Sequence, residues 1–137
     1  MTNPLTEYDI QSALIAYYKS QPSITSLLLG PTGTAIKESQ WQGTSFEYPA
    51  IRVYVDVFPS VNGCGPDRAE ICTEVFSAQK SSRESKLISA ARVKLLHKKI
   101  FTSNGFKFIM MRVVKEWRSE RSIYAWVIKI DLEALVC

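Results

Sequence analysis

At 137 residues the chain suits one domain spanning residues 1–137, long enough to bury roughly 65–70% of its unfolded surface and short for two domains. Apolar residues make up 46% and charged residues 22%, a globular balance that excludes a disordered or low-complexity polymer. The net charge of +4 tolerates an anionic partner without demanding one, and no apolar run approaches the roughly eighteen residues of a membrane span.

The N-terminal MTNPLTEYD has neither a basic n-region nor an apolar h-region, so no cleaved signal is expected. Thr6 with Asp9 three residues on reads as an N-cap with an acidic first turn. Ile10, Ala13, Leu14 and Tyr17 then mark one face of a helix running to about Lys19, which Pro22 stops. Ser23–Leu29 reads as a second, short helix closed by Gly30 and Pro31. Residues 32–47 form a polar connector with at most a short strand near Ala35–Lys37.

Pro49 opens a strand in which Ile51, Val53, Val55 and Val57 alternate with Arg52, Tyr54 and Asp56, so one face is buried and the other wet. Pro59 ends it, and SVNGCGP (60–66) is a loop. Arg68–Ala78 is a second strand with Ile71, Thr73 and Val75 on one face and Glu70, Cys72, Glu74 and Phe76 on the other. The cysteines (Cys64, Cys72, Cys137) are odd in number and follow no metal spacing; a Cys64–Cys72 bridge is geometrically conceivable, and reduced thiols are the default.

Ser81-x-x-Glu84 has the form of a capping box and predicts a helix from Ser81 to Phe101. Arg83, Lys86, Lys94, His97 and Lys98 form a basic stripe on it, with Ala90 among them. Ile88, Ala91 and Leu95 make the opposite contact line, flanked by Val93, Leu96 and Ile100 and interrupted by Arg92 and Lys99. That apolar arc is wider than one sheet contact needs. Asn104-Gly105 then turns the chain into a hairpin of two long strands, Phe106–Arg118 and Arg121–Leu135. In the last strand Tyr124, Trp126, Ile128, Ile130 and Leu132 hold one face; the other is apolar at Ile123, Ala125 and Val127 and polar at Lys129, Asp131 and Glu133. Its partner carries Ile109, Met111, Val113 and Trp117 on one side and Phe106, Phe108, Met110 and Val114 on the other. Four strands and their helices read as an α+β domain with more apolar surface than a solitary subunit buries.

Little of this chemistry is catalytic. His97 reads as a solvated residue near a helix C-terminus, with no second histidine or carboxylate cluster to make a metal site. NGCG at 62–65 lacks the strand–loop–helix setting and Lys-Ser/Thr ending of a phosphate loop, and the scattered acids fit solvent-side positions. The expectation is therefore no enzyme, no cofactor and no metal. Arg83, Lys86, Lys94 and Lys98, with Lys115, Arg118 and Arg121 near the hairpin tip, could meet phosphates or the acidic rims of protein partners. A nucleic-acid-binding module is accordingly the alternative from a different class.

The order of elements, with PSITSLLLG, EYPAIRVYVDV and EICTEVFSAQKSSRESKLISAARVKLL ahead of a long hairpin, resembles the tail terminator or tail completion proteins of tailed bacteriophages. The resemblance runs from about Tyr8 to Leu135. It implies a small antiparallel sheet, mixed at most, of about four strands, with helices packed on one face. It further implies a ring, usually a homohexamer, that caps the head-proximal end of the tail tube, ends its polymerisation and docks to the neck or connector. DNA would pass through the lumen without specific binding, and the protein, made in the host cytoplasm, would reside in the virion at the tail–neck junction. A neck or stopper protein is the close alternative. A ring needs two different contact patches. The expected ones are the outer hairpin face (Phe108, Met110, Ile123, Ala125, Val127) and the helix flank (Val93, Leu96, Ile100).

Overall fold

A computed structural model describes residues 4–28, 35–38, 48–58, 66–121 and 125–137, with side chains from residue 7. Helix α1 (Pro4–Ser20) and the single turn α2 (Pro22–Thr25) precede strands β1 (Ile36–Glu38), β2 (Ala50–Phe58) and β3 (Asp67–Ser77). Helix α3 (Arg83–Leu96) follows, then β4 (Phe101–Ser103), β5 (Phe106–Glu116), β6 (Glu120–Arg121) and β7 (Trp126–Val136). The strands form one sheet in the order β1-β2-β3-β7-β5-β4, with β6 paired to β7. Among the described residues only the β1–β2 pair is parallel.

This overturns the expected small sheet of about four strands with helices laid on one face. Seven strands are present among the described residues, and the fold is mostly β. The physical reason lies in the ends of the elements. The helix expected to reach Phe101 stops at Leu96, because His97 turns extended and Lys98 takes a positive φ of 61°. Phe101 is thereby freed to begin β4 and stacks between Tyr17 (centroids 3.7 Å apart) and Phe108 (4.8 Å). Helix α1 thus packs on β1 and β2 at one end of the sheet and on β4 at the other, so the sheet curls around it.

The alternating patterns of the long strands work as written for β2, β3 and β7. Ile51, Val53, Val55 and Val57 of β2, Ile71, Thr73 and Val75 of β3, and Ile128, Ile130 and Leu132 of β7 are all buried. One β2 residue departs from the pattern: Arg52, expected on the wet face, is buried, and its Nη1 donates to the carbonyls of Ala35 (3.3 Å) and Ile51 (3.1 Å). Strand β5 departs further. Between Ile109 and Arg112 it carries one more residue than β7, a bulge in which Met110 adopts φ 52°. An extra residue reverses the alternation, so Phe106, Phe108, Met111 and Val113 all join the core side. The sequence pattern had divided them between two faces.

Where β2 and β5 run past the short end strands β1 and β4, polar groups from the helices and the α3–β4 turn cap part of their open edges. At the β2 edge, the backbone N–H of Val55 donates to Gln11 Oε1 (3.1 Å) and that of Val57 to Glu7 Oε1 (3.3 Å), both on α1. At the β5 edge, the N–H of Val113 donates to His97 Nδ1 (3.0 Å), and Lys98 N–H donates to the carbonyl of Met111 (2.7 Å). Each bond removes an unpaired group that another strand could have joined.

The capping box does not form. Glu84 Oε1 accepts from Ser77 Oγ (2.8 Å) instead, tying the start of α3 to the end of β3. Further along the helix, Arg92 is 0% exposed, and the apolar contact line closes around it rather than being interrupted by it. Its Nη1 donates to Thr73 O (2.8 Å) and Thr73 Oγ1 (3.0 Å), and its Nη2 to Ser89 Oγ (2.7 Å).

Two stability predictions follow from these positions. Arg92→Ala, which opens a cavity and strands the oxygens of Thr73 and Ser89, should lose about 3–5 kcal/mol of unfolding free energy in urea titration. Arg92→Met, which refills much of the volume, should lose less. Met110→Ile should cost about 1 kcal/mol, because a branched side chain resists the left-handed backbone, whereas Met110→Gly should hold or raise the midpoint.

Candidate interaction surfaces

The two contact patches expected from the sequence do not survive intact. Phe108 and Leu96 are fully buried in the subunit core, and Ala125 is buried as well, so none of the three can meet a neighbour. The bulge explains Phe108, and the packing of α3 on the sheet explains Leu96. Ile123 lies outside the described residues. Val93 and Val127 are half-buried. Met110 (71% exposed) and Ile100 (68%) remain as apolar side chains open to contact, though they no longer belong to continuous patches.

In the basic stripe, Arg83, Lys86, Lys94 and Lys98 are all exposed. His97 leaves this stripe, since its imidazole is engaged with β5. Lys86 and Lys94 border an open groove of about 510 Å³, whose walls include Ala90, Val93, Glu116 and Trp117. Trp117, grouped with core residues by the strand pattern, stands exposed with Lys115 Nζ 3.6 Å and Lys129 Nζ 5.1 Å from its ring centre. The register of the bulged strand places it there.

A second surface was not anticipated as a unit. On the side of the sheet away from α3, Tyr54 and Asp56 of β2, Glu70 and Cys72 of β3, Asp131 and Glu133 of β7, and Val114 of β5 line a shallow groove of about 350 Å³. Strand pairing puts Asp56, Glu70 and Glu133 directly opposite one another in one row, and Tyr54, Cys72 and Asp131 in the next. Like charges so placed repel. Arg68 offsets Glu70 (3.3 Å) and Arg112 pairs with Glu133, but among the described residues neither Asp56 nor Asp131 makes an ion pair. Each acid was legible as solvent-side; their alignment required the register. No group of three or more His, Cys, Asp or Glu among the described residues is arranged to hold a metal ion, and no helix there is long and apolar enough to cross a membrane.

Cys72 sits in this groove. Burial pushes its thiol up to about 11; neighbouring Lys129 opposes that shift, while Asp131 and Glu74 add to it. Cys72 and the exposed Cys137 are free thiols, and Cys64 lies outside the described residues.

No protein-family model matches the sequence, and no curated protein matches it. Solved structures do. One is a chain of the virion of a native gene transfer agent (GTA) particle, with a TM-score of 0.70 and 15% identity over 93% of this chain and 93% of that one. A second solved chain has a TM-score of 0.65 and 13% identity over 100% of this chain and 96% of its own. These likenesses show a shared fold.

The thiols give a direct check on the outer groove. Mapped alkylation at neutral pH should modify Cys137 well before Cys72. Because the folded state keeps Cys72 protonated above the ordinary thiol value of 9.0, its contribution to stability is fully present below that pH and is lost as the pH rises through 11. Cys72→Ala should therefore flatten the fall in unfolding free energy across that window.

Proposed function

We propose that this chain is a structural subunit of a virion that assembles as a ring, most simply a homohexamer, at the head-proximal end of a tail tube. There it ends tube polymerisation and joins the tail to the neck or head. The observation that carries this reading is the fold shared, along 93% of both chains, with a component of a gene transfer agent virion. The order of elements that resembles tail terminators supports the finer assignment. Exposed Met110 and Ile100, together with open grooves on two sides, supply surface for neighbours. The reading involves no catalytic step and no cofactor.

Negative-stain images of the purified protein should show rings, and adding it to growing tail tubes should arrest them at a uniform capped end. A neck or stopper protein would also form rings but would leave tube growth unaffected. Dispersed particles that retain DNA in a salt-dependent manner, weakened by Lys86→Ala and Lys94→Ala, would replace the ring reading with that of a nucleic-acid-binding module.

A further inference from the structure

The acidic groove and the basic helix lie on opposite sides of the same sheet. Asp56, Glu70, Asp131 and Glu133 alternate along their strands with inward residues, on which α1 packs at β2 and α3 at β3 and β7. The outward side of α3 presents Leu87, 48% exposed, and Ala90, with Arg83, Lys86 and Lys94 beside them. One copy cannot bring these two surfaces together. Two copies can.

We infer that the outward ridge of α3 in one copy seats in the outer-face groove of the next. The chemistry of the two surfaces matches in kind. Tyr54 and Val114 give the groove apolar walls for Leu87 and Ala90, and the carboxylates of Asp56 and Asp131, which make no ion pair among the described residues, face cations on the helix. Their lengths also agree. From Lys86 to Lys94 the helix rises about 12 Å, and the acidic rows, which cross β2, β3 and β7, span about 10 Å. A helix lying along that direction brings a cation near each end of the acidic rows. Because groove and ridge are different surfaces, the contact is head-to-tail and propagates from copy to copy until it closes on itself. The inference rests on the ring reading for that closure, not for the contact.

Charge reversal tests it. Sedimentation velocity with Lys86→Glu/Lys94→Glu, and separately with Asp56→Lys/Asp131→Lys, should show self-association weakened at least about tenfold by each pair, because like charges then meet in the groove. Mixing the two variants should restore association, and so should placing all four substitutions in one chain, since each ridge then again meets a groove of opposite sign. Raised salt should weaken the wild-type contact. Circular dichroism melts identify any variant that fails to fold; the mixing experiment uses only folded ones, and if one reversed pair does not fold, the single substitutions Lys94→Glu and Asp56→Lys take its place.

Association unchanged by the reversals, no recovery in the mixture, or a wild type that stays monomeric at its highest soluble concentration would each overturn the inference. Rings that persist through the reversals would do so while leaving the ring reading intact. Rescued association into open filaments rather than rings would support the contact and count against the ring reading.

Discussion

The arrangement of this molecule depends on a cation in its core. Arg92 is sealed from solvent without a carboxylate against it, a placement whose desolvation costs several kcal/mol per ion. Burial lowers its pKa to about 10, which leaves it charged at neutral pH. Charge-assisted hydrogen bonds to Thr73 and Ser89, with a longer 3.5 Å contact to the carbonyl of Ile128, offset part of that cost. Those acceptors lie on α3 itself and on β3 and β7, the two strands at the centre of the sheet. A guanidinium has a rigid fork, so satisfying it sets the rotation of α3 about its axis. Ile88 and Leu96 then face inward, while Lys86, Leu87, Ala90 and Lys94 face outward. Tyr18 of α1 lies close enough for the positive charge of Arg92 to pull its pKa down, although burial still holds it at about 12. Both long helices are thereby referred to one polar centre.

A curled sheet whose ends are bridged by a helix has edges to manage, and polar residues do that here. Glu7 and Gln11 cap part of the β2 edge and His97 caps part of the β5 edge. These residues have the composition of a solvated surface but act as backbone partners. Their effect is directional: along these stretches of β2 and β5, strand addition is a poor route to assembly.

That division explains what could be read from the sequence. The inward faces of β2, β3 and β7 were legible because a period of two needs no knowledge of the partner, although Arg52 on the other face of β2 is buried too. Strand β5 was not, because an inserted residue at Met110 reverses the side chains that follow it and a second shift between Val113 and Lys115 changes the register again, and nothing in FKFIMMRVV marks either. Arg92 was misread since charge is ordinarily a sign of solvent. The box at Ser81 and Glu84 was a sound local pattern, but Glu84 found a partner in Ser77 across a tertiary contact. The acidic row could not be seen at all. Asp56, Glu70 and Glu133 come from three strands, and only pairing registers set them side by side.

Such a row has consequences for the kind of partner that can cover it. In water the mutual repulsion of the three carboxylates is small, of the order of the 0.2–1 kcal/mol typical of cross-strand pairs. Covering the groove lowers the local dielectric and magnifies every interaction in it, repulsive and attractive alike. An apolar partner would bury Asp56 and Asp131 without a countercharge and bear a heavy desolvation penalty. A partner bringing cations at matching spacing converts the same magnification into attraction. The exposed stripe of Leu87 and Ala90 would not suffice alone, because its apolar area is small; its selectivity comes from the lysines and arginine beside it. A sheet face of this composition therefore disfavours indiscriminate association and favours one geometry, in which a basic helix fills it.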